Sequence, residues 1–265
     1  MNIFQSIFLG ILQGITEFLP ISSSGHLVIF QKIFGFKEPP IFFDTLVHFG
    51  TVIALLIFFR EKIKKILIGT TKEIKEKKVG ENIKLIWFLF LGTIPIVVVG
   101  ILLQEKIEKI FNSILLVAFS FLFTSIILFL TAFKKEHLKN IQKAKPLDAL
   151  FIGIFQAIAI LPGVSRSGST ISAGIFRNLK KEDAFDFSFF LGIIAILGAT
   201  ILQVFKISLV SSNEIFYSIF GCLFAAISGY FALKILKPIV LKGKLHYFGF
   251  YCLFIGTFCL IFSFL

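Results

Sequence analysis

Residues 162–170 read Pro162-Gly163-Val164-Ser165-Arg166-Ser167-Gly168-Ser169-Thr170. An arginine between two serines, at a Pro-Gly break flanked by apolar runs, is costly to hold in a membrane. An ionisable residue in that setting points to function. A second stretch of the same kind reads Pro20-Ile21-Ser22-Ser23-Ser24-Gly25-His26. Each ends at the start of a short helix, whose N-terminal amides and positive dipole end attract anions. Gly25, Gly163 and Gly168 let the backbone come close to a ligand. The Arg166 guanidinium adds a fixed charge and a planar fork suited to phosphate. Ser165, Ser167, Ser169 and Thr170 add hydroxyls. Together these residues predict a phosphate or diphosphate held where two loops meet, with a carboxylate ligand less well matched.

The first stretch also carries groups that can react. Ser23 and His26 are three residues apart and would share the face of a helix that starts early. Histidine is the usual proton shuttle near neutral pH. Gln13 and Glu17, four apart, share a face just upstream. A carboxylate beside bound phosphate holds a divalent cation or acts as a base. Blander readings stand beside these. Glu17 could simply pair with Arg166, and the serines could merely satisfy backbone groups freed at the breaks. His48, beside Asp44, reads as a packing or hydrogen-bonding residue. His137 and His246 read as surface residues of basic loops. Cys222, Cys252 and Cys259 lack ligand spacing and read as packing thiols.

Apolar elements must position these loops. The 265 residues are 57% hydrophobic, with 37 Phe and only 16% charged, against about 25% charged in soluble domains. The chain therefore reads as an all-α polytopic membrane protein. Its net charge of +12 gathers between apolar runs, as cytoplasmic loops do. It does not line a groove or a recognition helix, which excludes a nucleic-acid partner. The phenylalanine excess reads as lipid-facing bulk. The N-terminus lacks the basic lead-in and unbroken apolar run of a signal peptide.

Residues 2–36, broken at Pro20, predict a re-entrant hairpin, because neither half supplies the ~20 apolar residues of a span. Spans are expected at about 43–59, 85–103 and 111–133. Between them, 60–84 carries nine Lys or Arg and reads as a cytoplasmic loop, as does 134–145 with five lysines. Gln104 to Lys109 reads as a short outer turn. The pattern then repeats 143 residues on, where Phe151-Ile152-Gly153-Ile154-Phe155-Gln156 matches Phe8-Leu9-Gly10-Ile11-Leu12-Gln13. Ser165 and Ser167 match Ser22 and Ser24 at the same spacing, and Phe185-Asp186 and Gly192 match Phe43-Asp44 and Gly50 one residue closer. A second hairpin at about 148–178, with Asp148 as helix N-cap, is followed by spans at about 184–206, 215–236 and 246–264. Arg177, Lys180 and Lys181 mark one cytoplasmic turn; Lys234, Lys237, Lys242 and Lys244 mark another. The chain thus divides into repeats 1–145 and 146–265, each one hairpin plus three spans. Three crossings is an odd number, so the halves are inverted and both hairpin tips reach the midplane from opposite sides.

At these motifs the sequence resembles the undecaprenyl-diphosphatase, or bacitracin-resistance, family. Gln13-Gly14-Ile15-Thr16-Glu17 matches that family's first motif, a Glu or Gln followed four residues later by Glu. Phe18 to His26 continues it, and residues 162–170 match the Pro-Gly-x-Ser-Arg-Ser-x-x-Thr motif in full. The resemblance runs over essentially the whole chain. It implies a phosphatase of a bacterial cytoplasmic membrane that converts undecaprenyl diphosphate to undecaprenyl phosphate and inorganic phosphate. That reaction recycles the carrier for cell-wall synthesis and starves bacitracin of its target. The resemblance further implies a site opening to the outer side and a need for Mg²⁺ or Ca²⁺. Position 13 is Gln here, leaving one carboxylate in the first motif.

Joined to the residue chemistry, the expected site has Arg166, Ser165, Ser167 and Thr170 holding the diphosphate, with Ser22, Ser24 and Gly163 lining the cradle. Glu17, helped by Gln13, positions the cation. Ser23 attacks phosphorus while His26 manages the proton, and His26 as nucleophile is the competing assignment. A polyprenyl-phosphate flippase or other anion transporter is the alternative, since inverted repeats and broken helices also build transporters. That class has no need of Glu17, Ser23 and His26 together. A homodimer is the assembly considered.

Overall fold

The computed structural model describes residues 1–37, 39–102, 113–134, 139–204 and 210–264. The local sequence explains where its helices start and stop. Helix α1 (Ile3–Phe18) opens with a capping box between Asn2 and Gln5 and ends just before Pro20. After a four-residue break, α2 (Ser23–Ile33) starts from Ser22, whose hydroxyl accepts the Gly25 N–H. Then come α3 (Ile41–Lys75), α4 (Glu81–Leu102) and α5 (Ile114–Leu130), the last running into a 3₁₀ turn at Thr131–Phe133. In the second half, α6 (Pro146–Ile158) and α7 (Arg166–Phe176) form another short broken pair. They are followed by α8 (Lys181–Val204), α9 (Ser212–Leu241) and α10 (Tyr247–Phe262).

Among the described residues five helices are long and apolar enough to cross a membrane: α3, α4, α5 with its 3₁₀ tail, α8 and α9. The expected last span, 246–264, appears as the 16-residue α10, shorter than the ~20 residues a full crossing takes. Helices α2 and α7 have 11 residues each, about half a membrane thickness at 1.5 Å per residue. Expected spans 43–59 and 215–236 are parts of longer helices. The segment 60–84, read as a loop, is helical to Lys75 and again from Glu81. Its lysines and glutamates are good helix formers, and Lys72 pairs with Glu76 one turn on. Likewise Lys234 and Lys237 lie within α9 rather than in a turn. The outer turn expected at Gln104–Lys109, and His137, lie outside the described residues. His246 is half-buried rather than on the surface.

Contacts gather the basic segments at one end of the molecule. Lys62 of α3 bonds Glu182 at 3.1 Å and also Asp186, and Lys237 of α9 reaches Glu182 at 3.4 Å. Backbone bonds tie Lys139 to Asn178 and Lys180. Asp148 is the third residue of α6, not the N-cap. From there its carboxylate accepts the Lys145 N–H at 2.8 Å and pairs with Lys139 and Arg177 at 2.7 and 2.6 Å. A carboxylate in the first helical turn satisfies orphan amides as well as a cap does. At the other end, the Ser6 hydroxyl near the start of α1 donates to the Tyr217 carbonyl near the start of α9.

Two matching close crossings hold the short helices. Gly10 of α1 lies against the Gly221 backbone of α9, and Gly153 of α6 lies against the Gly92 backbone of α4. A Cβ at Gly10 would enter the Gly221 carbonyl. Gly10→Ala is therefore expected to lose about 1–3 kcal/mol of stability, read as a fall in the thermal unfolding midpoint in detergent. Gly198→Ala, with nothing within 4 Å of the added carbon, is expected to be neutral or to gain up to about 1 kcal/mol. Part of the phenylalanine excess is core rather than lipid-facing. Phe18, Phe59, Phe185 and Phe189 are buried, with Phe185–Phe189 and Phe18–Phe189 ring centroids 4.7 and 5.6 Å apart. The three cysteines are free and fully or partly buried, as expected of packing thiols.

Candidate active site

The two breaks meet. The Ser22 hydroxyl accepts the N–H of Gly163 at 3.1 Å as well as that of Gly25 at 3.3 Å. Thr124 of α5 supports the second loop, donating to the Gly163 carbonyl at 3.0 Å and accepting the Ser165 N–H at 3.1 Å. Gly163 has φ +98°, a conformation side chains rarely adopt. Ser22, at φ +67°, adopts a comparable one without being glycine. Such a residue persists only where its surroundings hold it.

At this junction sit the chemical groups. The Ser23 hydroxyl donates to Glu17 Oε2 at 2.5 Å, and Gln13 Nε2 donates to the same oxygen at 3.1 Å. Arg166 donates from one terminal nitrogen to Glu17 Oε1 at 2.8 Å and from the other to the Ser188 carbonyl at 3.4 Å. Its guanidinium lies over the Phe189 ring and against Gly192, where any side chain would displace it. The blander Glu17–Arg166 pair is thus present. It does not exhaust either residue, since Glu17 also receives a hydroxyl.

The amides of Ser23, Ser24, Arg166 and Ser167 have no partner among the described residues. They lie in the first turns of α2 and α7, so two helix N-termini converge on the Glu17–Arg166 pair. Of the hydroxyls expected to hold phosphate, Ser165 caps α7 by accepting the Gly168 N–H at 3.1 Å. Thr170 donates to the Arg166 carbonyl at 2.8 Å and meets Ser188 at 2.5 Å. These two are occupied within the fold. Among the described residues the Ser167 hydroxyl meets only Ser165, at 3.3 Å, and that of Ser24 only Ser22, at 3.4 Å. The donors left available among the described residues are therefore backbone amides, Arg166 and the less-engaged serines.

The expected Ser23–His26 pair is not formed. His26 Nδ1 is 2.7 Å from the Ser22 carbonyl, and Nε2 is 2.7 Å from the Tyr251 hydroxyl. Ser23 turns to Glu17 instead, because the helix starts at Ser23 and its first turn points the hydroxyl back toward α1. His48 does hydrogen-bond locally, through Nδ1 to the Asp44 carbonyl at 2.7 Å, but its Nε2 also lies 3.9 Å from Glu17 Oε2. Sequence reasoning missed Thr124, Ser188 and Tyr251 altogether. Nothing local distinguishes them from other polar residues on apolar helices. Gly192 carried a signal as the match of Gly50.

A cation fits these residues only as a shared ligand. Among the described residues no three of His, Cys, Asp and Glu converge. Gln13 Oε1, however, is buried without a partner among these residues, on the side chain that bonds the Glu17 carboxylate. Hard cations take oxygen donors, and Mg²⁺ is commonly held by one or two carboxylates together with substrate phosphates.

Fold and site define a class: an integral, multi-pass membrane protein with a polar centre built where two broken helix pairs touch. Comparison with known proteins is then specific. Residues 6–258 match the family described as "Bacitracin resistance protein BacA", and the chain belongs to that family. It is 42% identical to an undecaprenyl-diphosphatase of Carboxydothermus hydrogenoformans, over 98% of this chain and 97% of that one. It is 40% identical to one of Methanococcus maripaludis, over 97% and 99%. It is 38% identical to one of Halothermothrix orenii, over 98% of each.

Proposed function

We propose that this protein is a membrane phosphatase that hydrolyses undecaprenyl diphosphate to undecaprenyl phosphate and inorganic phosphate. That reaction recycles the lipid carrier for cell-wall synthesis and confers bacitracin resistance. The observation that carries the reading is the Ser23 hydroxyl donated to Glu17 Oε2, opposite Arg166. A transporter needs the anion cradle but not a hydroxyl hydrogen-bonded to a carboxylate beside it.

In this mechanism Arg166, the unpartnered first-turn amides of α2 and α7, Ser167 and Ser24 hold the diphosphate, and Ser22, Gly163, Ser165 and Thr170 shape its cradle. Ser23 Oγ attacks the terminal phosphorus while Glu17 Oε2 takes its proton. A Ser23–phosphate bond forms and the bridging P–O bond breaks, releasing undecaprenyl phosphate. Water then attacks the phosphoserine: its oxygen bonds phosphorus and its protons leave with inorganic phosphate, while the Ser23 O–P bond breaks and Ser23 takes back the proton held at Glu17. Phosphoryl transfer depends mainly on positioning and charge stabilisation, and both are built here. Glu17 and the Gln13 amide oxygen would hold Mg²⁺ or Ca²⁺ together with the substrate, and the ion would neutralise diphosphate charge.

The finer architecture belongs to the same proposal. Two inverted repeats, 1–145 and 146–265, each place a re-entrant hairpin so that the tips meet near the midplane. Support comes from the matching Gly10–Gly221 and Gly153–Gly92 crossings. It also comes from α6 starting at the basic end while α1 starts at the opposite one. With the basic end cytoplasmic, the first hairpin opens to the outer side of a bacterial cytoplasmic membrane, and so does the site. Exposed apolar faces of α9 and α10 would suit a homodimer.

The test is phosphate release from undecaprenyl diphosphate by purified protein in detergent. Release should be lost on chelation and restored by Mg²⁺ or Ca²⁺. Gln13→Ala should raise the metal concentration needed for half-maximal rate by about tenfold, one lost ligand contact. A folded wild-type protein inactive with both metals would refute the phosphatase.

A further inference from the structure

His26 and Tyr251 form a connection that the chemistry above does not use. The Ser22 carbonyl can only accept, so the His26 nitrogen 2.7 Å from it, Nδ1, carries the proton. In the neutral ring Nε2 is then the acceptor, and the Tyr251 hydroxyl at 2.7 Å donates to it. The two rings stack at 11°, centroids 5.7 Å apart, and Phe121 closes the imidazole edge at 5.4 Å. His26 is 3% exposed. Both of its nitrogens are committed, and neither faces Ser23.

The far end of this connection is Ser22, the non-glycine residue held at φ +67°. Its hydroxyl joins the two loops through Gly163, and its carbonyl is gripped by His26. Ser23 is the next residue. A rotation at Ser22 would therefore move Ser23 away from Glu17 and part the loops.

We propose that Tyr251 is a positioning residue for the reaction: through His26 it locks the Ser22 backbone, and so sets Ser23 on Glu17. His26 is then the middle link of a Tyr251–His26–Ser22 chain and not the proton acceptor. The inference rests on the phosphatase reading. It adds α10, the last helix of the second repeat, to the elements that build the site.

The test compares Tyr251→Phe, His26→Asn, His26→Ala and the Tyr251→Phe/His26→Asn pair with wild type for phosphate release. Tyr251→Phe should lower kcat roughly tenfold, the loss of one buried hydrogen bond, with KM and both limbs of the pH profile unmoved. His26→Asn keeps an N–H for the Ser22 carbonyl and should stay within about tenfold of wild type. His26→Ala should fall about a hundredfold. The pair should be no slower than His26→Asn alone by more than about twofold, because linked residues are non-additive. Nitrogen NMR of histidine-labelled protein should show His26 protonated at Nδ1 in wild type, with the Nε2 resonance shifting in Tyr251→Phe. That readout does not depend on turnover. Tyr251→Phe within twofold of wild type would overturn the proposal. So would His26→Asn as impaired as His26→Ala with a displaced pH limb, or an Nε2-protonated His26. Inactive wild type would instead remove the phosphatase reading, and the catalytic part of this one with it.

Discussion

Ser23→Ala is expected to lower phosphate release by about ten-thousand-fold or more, the scale seen when a nucleophile that acts as part of a unit is removed. The reason is local geometry. Ser23 holds its hydroxyl 2.5 Å from Glu17 Oε2 at the first turn of α2, whose first amides have no partner among the described residues. Among the described residues no other hydroxyl in the paired loops meets a carboxylate. The variant should still fold, since it gives up one hydrogen bond to a charged group, about 1.5–3 kcal/mol. Unfolding midpoints measured beside the rates will separate the two effects. Acid quenching during turnover should trap phosphate on Ser23, located by mass spectrometry. A Ser23→Ala protein keeping a tenth of wild-type turnover would move the nucleophile elsewhere, with water or His26 next in line.

Arg166→Ala should cost about 10³- to 10⁵-fold in turnover, the range for an arginine that stabilises transferring phosphoryl charge. Stability should fall as well. The pair with Glu17 is largely enclosed, with side chains 12% and 7% exposed, and removing one partner of a buried pair destabilises by about 3–5 kcal/mol. Arg166→Lys separates the roles. It keeps the charge near Glu17, so the unfolding midpoint should mostly recover. It cannot bond Glu17, Ser188 and a phosphate from one planar group, so turnover should stay at least about a hundredfold down. Near-normal turnover in Arg166→Lys would refute the planar role. Ser169→Ala is the contrast: its hydroxyl is buried without a partner among the described residues, so its loss should leave both rate and stability nearly unchanged.

Much of this protein could be read from residue order alone. Helix breaks at Pro20 and Pro162-Gly163 follow from local backbone chemistry, and the short helices start at the serines because hydroxyls cap free amides. Apolar length identifies the long helices, and Gln13 meets Glu17 because residues four apart share a helix face. Helix ends were less legible. Charged segments such as 60–75 continue a helix as readily as they leave one, so α3 runs past its apolar stretch.

What tertiary structure decided is which of two chemically suitable partners each site residue takes. Ser23 could have faced His26, three residues away, yet it faces Glu17 across the break. His26 is bound instead by Tyr251, 225 residues on. Arg166 reaches Glu17 over 149 residues of chain and rests on Phe189 and Gly192. These pairings depend on how α1, α5, α8 and α10 pack around the short helices. Neighbouring residue types determine local turns and faces. The side chain waiting at the end of a hydrogen bond is set by helices that meet only after the whole chain has folded.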